Sequence, residues 1–330
     1  MARRRWWVLG MLAVLITMAP MSRTARAGNA PPAPAATHLY IIFLPGLCAY
    51  TNSDPYCHGR IDAGARARST FRTLIDELAT AHVVYTPLFY SYNPGDAGGY
   101  TVSGTHQTVA RSVDALEREL RAARQHDPSA HFDLVGHSLG GVVAASWAVS
   151  NGRQYGFHAS RGLLHVVNSI VTFDSPLHGL QNTLSNNLVT RLFGGDIAYS
   201  LQPDSETIKE ILFFPNQWWR TKGHLHSVAN HADIVVPPAE ALLGQTRQVN
   251  DTVCSRDLLL LRSCHGAVLA DTALNHYVAC HWITTSDQCN PRPTPTPTPM
   301  PTATRTPVPS TPTITPTSVL PPPPTISPTP

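Results

Sequence analysis

The sequence predicts an α/β protein in which a mostly parallel central sheet has helices on both faces. Strand-like and helix-like runs alternate between about His38 and Thr285. Parallel strands need such helical crossovers, because a tight turn cannot join them. A serine between two close glycines, placed where a strand-like run gives way to a helical one, is typical of the same class. With 330 residues the chain is long enough for one large domain with appendages.

Strands and helices can be predicted in chain order on both sides of that serine. The run HLYIIFL, His38–Leu44, is predicted to be a buried strand, and His82–Tyr92 is predicted to be the next strand. Between them, Ser69–Ala81 is predicted to be a helix that starts at a serine. Further strands are predicted over His165–Phe173 and His224–Asn230. One face of a second helix is predicted from apolar residues at i, i+4, i+7 and i+11, which are Val109, Val113, Leu116 and Leu120.

The stretch FDLVGHSLGGVVAASWA, Phe132–Ala148, carries the serine in a G-x-S-x-G pattern made by Gly136, Ser138 and Gly140. A sharp strand-to-helix turn holds its central residue in a strained conformation with the side chain projecting above the sheet. Side chains two positions before and after would collide with the neighbouring elements, and glycine removes that clash. The helix N-terminus that follows favours nearby negative charge. The pattern predicts Ser138 as an exposed nucleophile.

A serine hydroxyl becomes a good nucleophile when a histidine takes its proton and a carboxylate orients that histidine. On this scaffold the expected chain order is Ser, acid, His. Asp233 follows a predicted strand and is the first candidate for the acid. Asp174, at the end of the preceding strand, is the alternative acid, and its structural interpretation is a brace for the turn at Ser175–Pro176. Among 16 histidines, His265 is the candidate base because it lies on a loop just before a helical run.

Other histidines have simpler interpretations than catalysis. His276 and His281 fall within the predicted helix, where packing or exposure accounts for them. His224, His226 and His231 form an H-x-H…H cluster, but no matching carboxylate or cysteine ligands accompany it. We therefore predict neither a metal site nor a cofactor.

Hydrolysis through a serine also needs two backbone N–H donors for the developing negative charge. Leu139, directly after the nucleophile, is predicted to supply one. The loop after the first strand, FLPGLCAY, is predicted to supply the other from the amide of Leu47, with Gly46 allowing the tight turn. The structural interpretation of Pro45–Gly46 is a turn alone.

Both ends of the chain differ in composition from the part between them. Residues 1–27 resemble a secretory signal peptide, with arginines at positions 3–5, an apolar core too short for a membrane anchor and an A-x-A site at Ala25–Ala27. Residues 28–37 are predicted to be a short linker and 38–290 the folded domain. Residues 291–330 alternate proline and threonine and are predicted to be a disordered, extended tail. This pattern predicts a secreted or cell-surface protein.

The net charge and the cysteine content indicate which partners and which disulfide bonds to expect. The net charge of +3 is small and unpatterned, which argues against a nucleic-acid partner. In an exported chain an even number of cysteines without a C-x-x-C pair favours three disulfides. The pairing stays open among 15 possibilities. Local closure favours the pairs Cys48–Cys57, Cys254–Cys264 and Cys280–Cys289.

The segment 182–219 interrupts the alternation and is unusually apolar for a connection. It has two interpretations, which are extra core packing and a helical cap or lid over an acyl pocket. Its apolar residues are Leu184, Leu188, Leu192, Ile208, Ile211, Leu212, Trp218 and Trp219.

The ordered motifs LPGL, FDLVGHSLGGVVA, VTFDSPLHG, DIVVP and CHGAVLAD, spread over His38–Trp282, resemble the α/β-hydrolase superfamily. They are most similar to its bacterial lipase, esterase and GPI-inositol-deacylase-like branches. The resemblance implies an α/β-hydrolase fold and a serine hydrolase of carboxylic esters that forms an acyl-enzyme through Ser138, Asp233 and His265. Many of these lipases carry His-Gly where this chain has Pro45–Gly46.

The expected function is therefore a secreted, lipase- or esterase-like hydrolase with an ester or lipid substrate. Transient contact with a lipid surface is expected if the cap exists, and no obligate protein partner is indicated. An acyltransferase or a polyester depolymerase could use the same triad. A binding protein on a catalytically dead scaffold is the alternative outside enzymes.

Overall fold

A computed structural model gives the fold of the chain. It describes residues 37–48, 61–93, 99–156, 161–181, 195–213, 224–249 and 264–283. The predicted signal peptide, linker up to residue 36 and Pro/Thr-rich tail lie outside these residues, as do Cys57, Cys254 and Cys289.

The centre of the described chain is a six-stranded sheet with the strand order β3-β1-β5-β6-β7-β8. Every pairing in it is parallel, so the predicted parallel sheet is confirmed. A separate antiparallel pair joins β2 to β4. The strands are β1 (His38–Leu44), β2 (Ile61–Asp62), β3 (Thr86–Phe89), β4 (Gly99–Tyr100), β5 (Ala130–His137), β6 (Val167–Phe173), β7 (Leu225–Asn230) and β8 (Gln245–Val249).

Helices follow most strands and supply the parallel crossovers. They are α1 (Ala63–Thr70), α2 (Arg72–Thr80), α3 (Val102–Thr105), α4 (Val109–His126), α5 (Leu139–Tyr155), α6 (Gly195–Ser200), α7 (Glu206–Phe213), α8 (Pro238–Ala241) and α9 (Thr272–Val278), with 3₁₀ turns at Leu164–Val166 and Ala267–Leu269 and a π-helical turn at Ala279–Ile283.

Hydrophobic cores cover both faces of the sheet, as predicted. Along β1, Ile42 and Leu44 belong to the core beneath α4 and α5, while Ile41 and Phe43 belong to the core beneath α2 and α9. This alternation follows from the two-residue side-chain period of a strand. The predicted apolar stripe of α4 is buried.

Two elements have bounds in the structure that differ from the predicted ones. The helix predicted over Ser69–Ala81 is divided at Phe71, whose backbone (φ −105°, ψ 23°) leaves the helical region while its buried ring packs 5.4 Å from that of Phe43. The strand predicted over His82–Tyr92 narrows to β3, because the residues at both predicted ends have a positive φ, 54° at His82 and 64° at Tyr92. Pro87 lies within β3 although it cannot donate to a ladder. Proline is tolerated in β3 since this strand lies at the end of the described sheet.

The predicted cap segment is described in part. Its helices α6 and α7 are present, and Ile208 and Ile211 of α7 are fully buried in the core that contains α5. Residues 182–194 and 214–223 lie outside the described residues. A lid over the site stays a prediction.

Among the residues that the structure describes, no helix is both long enough and apolar enough to cross a membrane. The described cysteines are Cys48, Cys264 and Cys280, and none of them is a free thiol.

Candidate active site

Four chain segments converge at one edge of the sheet. Because β1, β5, β6 and β7 are parallel, the residues that follow them share the carboxyl edge. These are the Pro45–Cys48 loop, Ser138, Asp174 and Asp233. Open parallel sheets bind their ligands at this edge.

Ser138 occupies a strained turn between β5 and α5. Its φ of 54° and ψ of −123° lie in a region that side chains other than glycine rarely adopt. The turn is held because the Ser138 N–H donates to the carbonyl oxygen of Phe173 at 2.9 Å, and α5 begins at the next residue. The strand–turn–helix context predicted for this motif is present.

Glycine is needed around Ser138 because backbone segments approach closely. A Cβ on Gly136 would lie 2.4 Å from the nitrogen of Gly141, and one on Gly140 would lie 2.0 Å from the carbonyl oxygen of Leu44. A third glycine, Gly141, lies outside the G-x-S-x-G motif. A Cβ there would lie 2.0 Å from Oγ of Ser175.

We predict that Gly140→Ala destabilises the protein more than ordinary overpacking does, which costs roughly 1–3 kcal/mol. The obstacle is the backbone of the central strand β1, which cannot move aside as a side chain could. Chemical denaturation measures the loss. Gly104→Ala is the matched control, because its added Cβ would meet only side-chain atoms, Oγ1 of Thr101 first at 3.1 Å, before the backbone of another segment at 3.8 Å. Equal stabilities of the two variants would contradict the prediction.

Ser138, His265 and Asp233 form a continuous hydrogen-bonded chain. The distance from His265 Nε2 to Ser138 Oγ is 2.8 Å, and that from His265 Nδ1 to Asp233 Oδ2 is 2.7 Å. The side chain of Asp233 is fully buried, whereas that of His265 retains 16% exposure. The three residues predicted from the sequence are therefore brought together in the predicted order.

The carboxylate of Asp233 is fixed on both of its oxygens. Oδ1 accepts hydrogen bonds from the backbone N–H groups of Val235 at 2.8 Å and Val236 at 3.1 Å, which leaves Oδ2 for His265. Burial lowers the pKa of His265, but the charge and hydrogen bond of Asp233, together with the charge of Asp174, outweigh burial and raise it overall. An imidazolium at this position is thus stabilised.

Asp174, the alternative acid, lies close to His265 but bonds to backbone. Its Oδ1 accepts from the N–H of Asn230 at 2.8 Å, and its Oδ2 accepts from the N–H of Gly266 at 3.3 Å. These contacts join the end of β7 to the loop that carries His265. The predicted brace at Ser175–Pro176 is therefore replaced by a brace between two other loops. Burial, followed by the nearby charge of Asp233, raises the pKa of Asp174 to about 7.

His137 is a further polar group beside the nucleophile, and it is partly buried. Its ring lies 5.0 Å from that of His265, and its Nε2 has no hydrogen-bond partner among the described residues. Burial, then the charges of His265 and Arg66, lower its pKa well below the ordinary histidine value. His137 is therefore neutral.

One group in the described part of the chain has the composition of a metal site. Donor atoms of His137, Asp174 and His265 lie within 4.8 Å of one another. Both ring nitrogens of His265 are already hydrogen-bonded, to Asp233 and Ser138. An ion bound there would compete with the Ser138–His265–Asp233 chain.

The H-x-H…H histidines are separated rather than gathered. His224 contacts the carbonyl oxygen of Asn168 through Nδ1, His226 stacks on Trp282 at 4.6 Å, and His231 contacts the side chain of Gln248 at 2.8 Å.

The two predicted oxyanion-hole amides flank Ser138. Leu139 is the first residue of α5, where N–H groups lack intrahelical acceptors. Neither its N–H nor that of Leu47 has an acceptor among the described residues. The Leu47 loop lies against the nucleophile, since a Cβ added to Gly46 would be 2.9 Å from Cβ of Ser138.

Comparison with known proteins gives similarity of structure without similarity of sequence. No family model matches the chain, and no curated protein matches it. A cutinase-like protein from Cryptococcus sp. is 16% identical with a TM-score of 0.34, over 73% of this chain and 98% of that one. A metagenomic carboxyl esterase is 14% identical with a TM-score of 0.43, over 77% and 81%. A monoacylglycerol lipase from Paleococcus ferrophilus is 12% identical with a TM-score of 0.39, over 70% and 92%.

The fold is defined by the chain's own geometry. The parallel sheet, the strained serine turn after β5 and the Asp and His positions after later strands together define an α/β-hydrolase fold.

Proposed function

We propose that the protein is a serine hydrolase that cleaves carboxylic esters, with Ser138 as nucleophile, His265 as general base and Asp233 as the orienting acid. The observation that carries the proposal is the hydrogen-bonded chain from Ser138 through His265 to a fully buried Asp233. The likeness to esterases and lipases reported above agrees with this activity without establishing it.

In the acylation step, Ser138 Oγ attacks the ester carbonyl carbon while His265 Nε2 takes the hydroxyl proton. The carbonyl π electrons move to oxygen, and the N–H groups of Leu47 and Leu139 stabilise the oxyanion. When the tetrahedral intermediate collapses, the carbon–oxygen bond to the alcohol breaks. The imidazolium returns its proton to the leaving alkoxide, so an alcohol departs and an acyl-Ser138 ester remains.

In the deacylation step, water takes the place of the alcohol. His265 removes a proton from water, the hydroxide oxygen bonds to the acyl carbon, and the same two amides hold the second oxyanion. Collapse releases the carboxylic acid and returns the proton from His265 to Ser138 Oγ. Asp233 keeps Nδ1 of His265 protonated throughout, so that Nε2 can accept a proton in each half of the cycle.

We predict that the purified protein reacts with a fluorophosphonate probe at Ser138 and hydrolyses p-nitrophenyl esters. Mass spectrometry of the labelled peptide identifies the modified residue. A series of esters with increasing acyl length then measures how kcat/KM depends on chain length, and so separates a short-chain esterase from a lipase. Absence of both labelling and turnover in folded protein would contradict the proposed function and favour a binding protein.

We also propose that the enzyme acts outside the cytoplasm. The positively charged and then apolar start of the chain supports export. The absence of a free thiol among the described cysteines suits an oxidising compartment.

A further inference from the structure

We propose that two buried tyrosines, Tyr92 and Tyr100, are positioning residues that orient the backbone amides of the Pro45–Cys48 loop toward the substrate oxyanion. The inference rests on the proposed hydrolase function and adds residues that no sequence motif indicates. It predicts that their hydroxyl groups act on the transition state through the amides of Gly46 and Leu47, although neither hydroxyl touches the substrate.

The loop is held by side chains from a different part of the chain. The hydroxyl of Tyr92 donates to the carbonyl oxygen of Pro45 at 2.5 Å, and that of Tyr100 donates to the carbonyl oxygen of Gly46. Cys48 is anchored next, because its N–H donates to Oγ1 of Thr105 at 3.2 Å and its carbonyl oxygen lies 3.0 Å from Nε2 of His106.

Holding a carbonyl also sets the direction of the amide that shares its peptide plane. No described peptide bond is cis, and in a trans peptide the C=O and the following N–H point in opposite directions. Tyr100 binds the Gly46 carbonyl, so it directs the N–H of Leu47 away from Tyr100. Tyr92 does the same for the N–H of Gly46 through the Pro45 carbonyl.

The loop that carries these amides lies against the nucleophile. Gly46 is in close approach to Ser138, with 2.9 Å between its would-be Cβ and Cβ of Ser138. The N–H groups of Gly46 and Leu47 have no acceptor among the described residues. A buried or half-buried N–H without a partner costs free energy, and a substrate oxyanion would supply the missing acceptor.

The tyrosines form a rigid support for this arrangement. Tyr92 and Tyr100 are fully buried, and their rings contact edge to face at 5.9 Å. The ring of Tyr90 also packs against that of Tyr92, at 4.6 Å. Burial, followed by the neighbouring Tyr100 and Tyr90, raises the pKa of Tyr92 well above the ordinary tyrosine value, so its hydroxyl remains a donor at every pH of interest.

Tyr90 provides a matched control within the same stack. It is as deeply buried as the other two, but its hydroxyl donates to the carbonyl oxygen of Ser112 in α4 at 2.6 Å and does not contact the loop. Removing this hydroxyl takes one hydrogen bond from a carbonyl inside α4, which can still accept an N–H of its own helix, and it leaves Pro45 and Gly46 held.

The test compares Tyr92→Phe, Tyr100→Phe and Tyr90→Phe on p-nitrophenyl esters. Loss of a whole oxyanion donor lowers kcat by ~10²–10³, and loss of its orientation should lower kcat by roughly tenfold or more in the Tyr100→Phe variant with KM nearly unchanged. Affinity for a boronic acid, which forms a tetrahedral adduct on the serine, should fall in parallel. Tyr90→Phe should lose thermal stability while keeping kcat.

Equal kcat values in Tyr90→Phe and Tyr100→Phe, at matched folded fraction, would overturn the inference. If Tyr100→Phe does not fold, Tyr92→Phe decides the question by the same comparison. Failure of the proposed function is separable, because it appears in the unmodified protein as absence of fluorophosphonate labelling and of ester turnover.

Discussion

Replacing Ser138 by alanine is expected to lower kcat by ~10⁴–10⁶ and to leave the fold intact, the scale seen when a catalytic nucleophile is removed. The physical reason is that Ser138 Oγ, 2.8 Å from His265 Nε2, is the atom that bonds to the substrate in the proposed mechanism. Alanine keeps the Cβ and therefore the same strained backbone at φ 54°, so the turn should persist.

Ser175→Ala is the matched control for Ser138→Ala. Ser175 also follows a central strand, but its hydroxyl donates to the carbonyl oxygen of Phe173 at 3.2 Å instead of to His265. Both variants should retain the circular dichroism spectrum of the unmodified protein. Fluorophosphonate labelling should disappear in the first variant and persist in the second. Near-normal turnover by Ser138→Ala would eliminate the proposed mechanism.

The features predicted from the sequence are those that a short stretch of chain determines locally. The turn at Ser138 is specified by its own neighbours, since Gly136 and Gly140 relieve contacts that the strand–turn–helix geometry creates. Parallel strands were predictable because buried apolar runs alternate with helices. Asp233 and His265 were predictable because the fold class places acid and base after later strands.

Features that depend on how distant segments meet were not predictable in this way. The need for Gly141 arises from Ser175, which follows another strand. The contacts of Asp174 depend on the loops at Asn230 and Gly266, which lie far along the chain. Likewise, nothing in the run around Tyr100 indicates that its hydroxyl reaches Gly46. Pairings between distant segments follow from sheet order and loop path, which residue spacing does not encode.

Replacing the acid of the triad is expected to have the second large effect on kcat. Asp233→Asn is expected to lower kcat by ~10³–10⁴, as loss of a triad carboxylate does. Val235 and Val236 N–H groups point at one oxygen of the side chain, so an asparagine would keep its carbonyl oxygen there. Its NH₂ would then face His265 Nδ1 and force the proton onto Nε2. A histidine in that tautomer cannot accept the proton of Ser138.

Asp174→Asn is expected to lower kcat less than about tenfold and to act mainly on stability. Both of its carboxylate oxygens accept backbone N–H groups, from Asn230 and Gly266. An asparagine NH₂ would oppose one of these donors and weaken the link between the two loops. Chemical denaturation of the two aspartate variants measures this loss separately from activity.

The pH dependence distinguishes the two carboxylates once more. His265 must be neutral to act as a base, so kcat/KM should fall as the pH drops through its pKa, which lies above the ordinary value. Asp174, whose own pKa is about 7, contributes to that increase while it is ionised, so removing its charge should lower the pKa of His265. The acidic limb of the Asp174→Asn profile should therefore move to lower pH, with the rate on the alkaline side close to that of the unmodified enzyme.

If Asp174 is the acid, the expected effects of the two aspartate variants on kcat are exchanged. In that case Asp174→Asn would be the variant with a kcat lowered by orders of magnitude, and Asp233→Asn would turn over normally at matched folded fraction. The observed geometry argues against that outcome, because His265 Nδ1 lies 2.7 Å from Oδ2 of Asp233, whereas both oxygens of Asp174 accept from backbone amides. Asp233 can therefore hold the tautomer, while Asp174 holds the loop and adjusts the pKa of the base.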